Sequence, residues 1–172
     1  MAPGAGIVSA KVLDRNGNGL REQVLSSVAW ILENKKKYSI KILNVSVGAV
    51  NSMESRNNIL TECMEQAWDA GLVVVVAAGN MGPDSGSVTI PGTSKKVITV
   101  GAYDDCAFPG KCYSGRGPTR ECVCKPEITA PGSNITSCSS TWHMDGRKYC
   151  VKSGTSMAAP VVSGAIALLL EK

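Results

Sequence analysis

Ser156 stands at the head of the apolar run Met157–Leu170, and that placement is the most chemically suggestive in the sequence. The run is small or apolar almost throughout, so as a helix it belongs inside a protein. It is too short for a membrane span, which needs about 20 apolar residues. Pro160 is tolerable only if the helix starts just before it. Ser156 then sits at the positive end of the helix dipole, where a serine hydroxyl either caps the helix or acts as a nucleophile once a base is supplied. A second group of interest is Asn80, which ends the run Ala77-Ala78-Gly79-Asn80. A carboxamide fixed at the end of a buried strand is a neutral, rigid donor, suited to a developing oxyanion as well as to an ordinary turn.

The surrounding elements explain how two such groups, 76 positions apart in the chain, could meet. Ile7–Leu13 reads as a buried strand, and the turn Asp14–Gly19 follows it. Leu20–Lys36 carries apolar residues at Leu20, Val24, Val28, Ile31 and Leu32, the spacing of an amphipathic helix. Ser39–Val47 is strand-like. Asn58–Ala70 is a second helix with Ile59, Leu60, Cys63, Met64, Ala67 and Trp68 on one face, stopped by Gly71. Leu72–Ala77 and Lys96–Ala102 are apolar runs typical of strands covered on both faces. Alternating strands and helices with short connections imply a parallel sheet. Beyond Asp104 the candidates are the short strands Glu127–Ala130, Asn134–Cys138 and Lys148–Val151. In such a sheet, sites form outside the carboxyl ends of the strands. Gly17-Asn18-Gly19, Ser46-Val47-Gly48 and Ala77-Ala78-Gly79 all leave from those ends, and their glycines let backbone approach a ligand.

Composition narrows the classes of partner. The 172 residues suit one domain with a real core, and a net charge of +4 without an aromatic and basic stripe does not indicate nucleic acid. Neither a membrane span nor an apolar leader after Met1 is evident. The cysteines at 63, 106, 112, 122, 124, 138 and 150 are odd in number, and Cys122-Val123-Cys124 lacks zinc-knuckle spacing. They read as reduced structural thiols, which leans towards a cytoplasmic setting.

Several segments together resemble one family. Gly154-Thr155-Ser156-Met157-Ala158-Ala159-Pro160, Ala77-Ala78-Gly79-Asn80 and Asn44-Val45-Ser46-Val47-Gly48 are similar to motifs of the subtilisin-like serine proteases, the subtilases. The opening Ala2-Pro3-Gly4-Ala5, the later Lys11-Val12-Leu13-Asp14, Tyr113–Pro118 and Ala130-Pro131-Gly132 match in the same order, and Gly82-Pro83-Asp84 resembles the intracellular bacterial type. The resemblance covers essentially the whole chain. It implies a three-layer α/β/α fold around a mostly parallel central sheet, present here only in part. It also implies that Ser156 is the nucleophile of a serine endopeptidase, with Asn80 and the Ser156 N–H forming the oxyanion hole. Gly17, Asn18 and Gly19 would face Ser46, Val47 and Gly48 as two edges holding an extended polypeptide substrate. Ala77, Ala78 and Gly79 would help to wall the pocket beside the cut. Gly92, Ser94, Val97 and Glu127 fall where the family holds a calcium or monovalent cation; no other cofactor is implied.

The family's triad order is Asp, His, Ser, yet nothing like Asp-Thr/Ser-Gly or His-Gly-Thr-His occurs in this sequence. The sole histidine, His143, lies in Thr141-Trp142-His143-Met144-Asp145, which does not match, and is read as a surface-loop residue. Residues 1–172 are therefore expected to be a carboxyl-side part of a catalytic domain, without the Asp and His region or the final helices. The expected partners are the amino-side part of that domain and, through exposed apolar surface, further copies of the chain. Such a chain is expected to be inactive alone. The alternatives are a peptide-binding pseudo-protease, an esterase, and a thiol or metal protein built on Cys106–Cys124. The esterase motif Gly-x-Ser-x-Gly is broken by Ala158.

Overall fold

The computed structural model describes residues 1–49, 59–106, 112–140 and 146–171. Helix α1 spans Arg21–Asn34, strand β1 Ile42–Val45, helix α2 Ile59–Asp69, β2 Val73–Ala77, β3 Ile98–Ala102, β4 Ile128–Ala130, β5 Ile135–Cys138, β6 Tyr149–Lys152 and helix α3 Thr155–Leu170. The first four strands form one parallel sheet in the order β1-β2-β3-β4, with Val45 beside Val76, Ala77 beside Val100 and Ala102 beside Ala130. Strands β5 and β6 form a separate antiparallel hairpin.

The unbroken apolar run of β2 reflects burial on both faces. Val74 and Val76 point to one side, where they pack with Leu43 and Val45 of β1, Val28 and Ile31 of α1, and Met64 and Ala67 of α2. Val75 and Ala77 point to the other side and pack with Val100, Ala130 and the α3 residues Ala158, Ala159 and Val162. Side chains alternate along a strand, so one run supplies both cores. The result is helix, sheet, helix, as expected. Helix α1 starts where the Leu20 N–H is taken by the Gln23 side chain at 3.1 Å. Helix α2 closes where Gly71, at φ +89°, turns the chain back towards β2.

Three expectations need correction. Ile7–Leu13 forms no strand, and Ile7 is 89% exposed. An apolar run becomes a strand only beside a sheet edge that takes its backbone groups, and β1 pairs with β2 alone among the described strands. Helix α3 is not buried all round: Thr155, Ala158, Ala159 and Val162 are buried, whereas Pro160, Leu168, Leu169 and Leu170 are exposed. The sheet covers only one side of this helix, as far along as Ile166. Pro160 lies inside the helix rather than at its start. The expected start of the second helix at Asn58 lies outside the described residues. No helix among the described residues is long and apolar enough to cross a membrane.

The ends of β3 and β4 are tied together by Asp104. Its carboxylate accepts the Gly132 N–H at 2.8 Å and the Ser133 N–H at 3.1 Å. Burial pushes this carboxyl up, but these N–H groups and the Ser133 hydroxyl outweigh it and hold it below the ordinary range. With the folded value below the unfolded one of about 3.9, the tie is fully present above that pH. It is lost as pH falls through the folded value. In acid titrations of stability, Asp104→Asn should lower the plateau at neutral pH and flatten the decline below about pH 4.

Candidate active site

The carboxyl ends of the parallel strands and the start of α3 converge on one edge of the sheet. Ser46 follows β1, Gly79 and Asn80 follow β2, Gly132 follows β4, and Thr155 and Ser156 open α3. A helix beginning inside a fold needs acceptors for its first N–H groups. Asn80 provides one, since its Oδ1 accepts the Thr155 N–H at 2.9 Å and the Thr155 hydroxyl at 3.1 Å. That same hydroxyl accepts the Gly79 N–H at 3.0 Å. With Oδ1 occupied twice, the orientation of the Asn80 amide is set, and its NH₂ is the end left for a ligand. Gly154 makes the approach feasible: its φ is +148°, and a Cβ there would lie 3.1 Å from Asn80 Nδ2.

Ser156 is half-buried in the first turn of α3, where its own N–H has no intrahelical acceptor. Its hydroxyl donates to the Ser46 carbonyl at 3.0 Å. In return the Ser46 hydroxyl donates to the Ser156 carbonyl at 3.1 Å. The second bond has a specific cause. The Ser156 carbonyl should receive the N–H of residue 160, four positions on, and Pro160 has none. Ser46 fills that vacancy, and Asn44 Nδ2 lies 3.1 Å from the Ser46 Oγ. Helix α3 is thus fastened to β1 by the acceptor its proline leaves free. The structure thus links Asn80 to the residue that precedes Ser156, and Ser156 itself to Ser46.

The edges predicted to hold substrate are partly brought together. Gly17, Asn18 and Gly19 face Ser46, Val47 and Gly48 across a cavity of about 440 Å³ whose lining includes Val24, Val45 and Met64. Ala77 and Ala78 do not line it; both are buried. The Ala78 carbonyl is taken by the Thr89 N–H at 2.9 Å, and a Cβ on Gly48 would meet the Thr89 Oγ1 at 2.8 Å. His143 lies outside the described residues.

The subtilase family, Peptidase S8, matches residues 1–172. This chain is a subtilase. It is 39% identical to serine protease AprX of Bacillus subtilis (strain 168), over 99% of the chain and 43% of AprX. It is 31% identical to subtilisin DY of Bacillus licheniformis, over all of the chain and 56% of that relative. Among solved structures, sphericase superposes with a TM-score of 0.72 at 28% identity, covering 91% of this chain and 51% of sphericase. A cold-adapted subtilisin-like serine proteinase gives 0.71 at 32%, covering 93% and 51%. The subtilase chain thus spans about half the length of the relatives it matches.

Three of the four residues expected to hold a cation, Gly92, Val97 and Glu127, have their oxygens engaged by groups of the chain itself. The Gly92 carbonyl accepts the Thr99 hydroxyl at 2.7 Å. The Val97 carbonyl accepts the Lys125 ammonium at 3.0 Å. Glu127 pairs with that ammonium through one oxygen and takes the Thr99 N–H at 2.8 Å through the other. The Lys125 side chain is wholly enclosed, so the positive charge at this position is covalently attached to the chain.

Among the described residues, one group, Asp105, Cys106 and Cys112, brings three potential metal ligands within 4.8 Å. Two of them are joined as a disulfide, and the Asp105 carboxylate takes the Ser114 N–H and Arg116. This corrects the expectation of reduced thiols throughout. The two α-carbons lie 4.4 Å apart, within bridging reach. Cys63, Cys122, Cys124, Cys138 and Cys150 are free.

Sequence reasoning missed Thr155, Lys125 and the hydroxyl of Ser46. Pro160 was the available signal for the last, since a mid-helix proline announces an orphan carbonyl four residues earlier. Two measurements follow. In urea denaturation Ser46→Ala should lose about 1–3 kcal/mol. Adding Pro160→Ala, which restores the missing N–H, should recover about 1 kcal/mol of that loss in a double-mutant cycle. Lys125→Met strands a carbonyl and a partly exposed carboxylate and should lose about 1–3 kcal/mol. The wild-type thermal midpoint should not move when calcium or potassium is added, whereas that of Lys125→Met should rise.

Proposed function

We propose that this subtilase chain is the nucleophile-bearing part of a serine endopeptidase that hydrolyses peptide bonds through a Ser156 acyl-enzyme. Asn80 Nδ2 and the Ser156 N–H hold the oxyanion, and the paired edges at Gly17–Gly19 and Ser46–Gly48 receive an extended polypeptide by strand addition. The observation that carries the reading is the fixed orientation of the Asn80 amide by Thr155, the residue next to Ser156 in the chain.

The chain alone is a poor catalyst on this reading. The Ser156 hydroxyl donates to a carbonyl oxygen, which does not accept a proton at neutral pH, and no Asp or His motif of the family occurs in the sequence. The acid and base come from an amino-side subtilase segment that also covers apolar surface such as Ile7 and Leu168–Leu170. Self-association through the same surface is the competing use of it.

The test is to incubate the chain with a fluorophosphonate and a chromogenic peptide, alone and with an amino-side subtilase fragment carrying the Asp and His motifs. Alone, labelling should be slow and turnover undetectable. With the fragment, turnover should appear and vanish in Ser156→Ala. In Asn80→Ala it should fall about 10²–10³-fold, a value established on a subtilisin and carried over unchanged. Rapid labelling of Ser156 in the isolated chain would overturn the proposed dependence on an external base. Peptide binding at the cavity without turnover in any mixture would favour a binding module instead.

A further inference from the structure

The loop carrying Asn80 does not stand alone. Segment 112–116 runs alongside it and is bonded to it on both flanks of the asparagine. The Gly115 N–H donates to the Gly79 carbonyl at 2.8 Å, and the Gly82 N–H donates to the Tyr113 carbonyl at 2.9 Å. Both are glycine positions because the two backbones touch: a Cβ on Gly82 would collide with the Ser114 carbonyl, and one on Gly115 with the Ala78 carbonyl. The same segment reaches the other half of the site. The Tyr113 hydroxyl and Ser133 Oγ are 2.8 Å apart, and the neighbouring Gly132 carbonyl accepts the Gly154 N–H at 2.8 Å, immediately before Thr155 and Ser156.

What holds this segment is concentrated at its amino end. Asp105, buried, accepts the Ser114 N–H at 2.9 Å, and Ser114 Oγ accepts the Ala102 N–H from the end of β3 at 3.0 Å. Arg116 reaches back to Asp105 at 3.3 Å and lies 3.7 Å from Cys106 Sγ. The covalent element is the Cys106–Cys112 bridge, which joins the segment to the end of β3 across six positions of chain. Cys106 is exposed, so a soluble reductant can reach it.

We propose that the Cys106–Cys112 disulfide is a redox-modification site whose opening releases the segment that braces the Asn80 loop, and so lowers the competence of the oxyanion site. The proposal rests on the reading of Asn80 given above only for its catalytic consequence. The chemistry is thiol–disulfide exchange with a dithiol. A thiolate of the dithiol attacks one sulfur of the bridge and expels the other as a thiolate, leaving a mixed disulfide. The second thiol of the reagent then closes its own cyclic disulfide and expels the remaining sulfur. The chain gains two electrons and two protons and the dithiol loses them. Once open, the bridge no longer holds segment 112–116 to β3, and only non-covalent bonds remain. A disulfide acts by removing freedom from the opened state, and for so short a loop the entropic relation corresponds to a change of roughly 50-fold in local opening.

The test needs no proteolytic activity, so its failure is separable from failure of the endopeptidase reading. The full chain is alkylated and weighed before and after treatment with dithiothreitol. Five of the seven cysteines should react before reduction and all seven after it. Amide hydrogen exchange is then followed in both states. The Gly82 and Gly115 N–H groups should exchange roughly 50-fold faster after reduction, while those of Val75 and Val76 in β2 keep their rate. Cys106→Ser/Cys112→Ser should show the fast rate with or without reductant. Were that variant not to fold, the reduced and reoxidised wild-type chain supplies the same comparison. Alkylation of all seven thiols without reduction would overturn the proposal. So would unchanged exchange at Gly82 and Gly115, or an equal acceleration at Val75 and Val76, which would make the bridge a general stabiliser.

Discussion

The first N–H groups of a helix that starts inside a protein must be given acceptors, and here one carboxamide oxygen takes the leading one. Asn80 Oδ1 takes both the backbone N–H and the hydroxyl of Thr155. This pair of bonds ties the end of β2 to the start of α3 across 75 positions of chain. It also settles which end of the amide faces outward. A free asparagine side chain could present either its oxygen or its nitrogen; one whose oxygen is twice engaged presents the nitrogen. The site's polarity therefore follows from helix capping rather than from any special property of asparagine.

A second constraint works in the same direction from the other side. Pro160 removes one N–H from the α3 ladder, and the carbonyl so released is that of Ser156 itself. Ser46 occupies it. Ser156 is thus gripped through its backbone by the segment after β1 and, through its neighbour Thr155, by the β2 loop. Small residues are needed wherever these pieces meet. Gly154 lies against Asn80, Gly48 and Gly79 against Thr89, and Gly82 and Gly115 against opposing backbone. A methyl group at any of them would push apart groups that have to stay within hydrogen-bond reach.

Much of the architecture was legible beforehand because burial leaves a pattern. The valine run of β2 announced a strand covered on both faces, and the spacing of Val28 and Ile31 or Met64 and Ala67 announced helices with one buried side. Ile7–Leu13 is also rich in apolar residues and yet, among the described residues, pairs with no strand, and Ile7–Lys11 is exposed. Pattern reports what a segment is able to bury, whereas pairing depends on what lies next to it. Helix α3 meets the sheet as far along as Ile166 and the trailing leucines do not, for the same reason.

Residue type and order alone determined the family, the parallel sheet and the pairing of Ser156 with Asn80 as candidates, because those depend on local preference and on motifs contiguous in the chain. Tertiary structure decided what is matched across distance. Lys125 fills the position expected of a free cation, since its stem brings an ammonium to the Val97 carbonyl and Glu127. Cys106 and Cys112 are paired, and segment 112–116 becomes the support of the Asn80 loop. Whether a carbonyl, an ammonium or a thiol is occupied depends on which group stands about 3 Å away, and that neighbour is chosen by the packing of the sheet rather than by the adjoining residues.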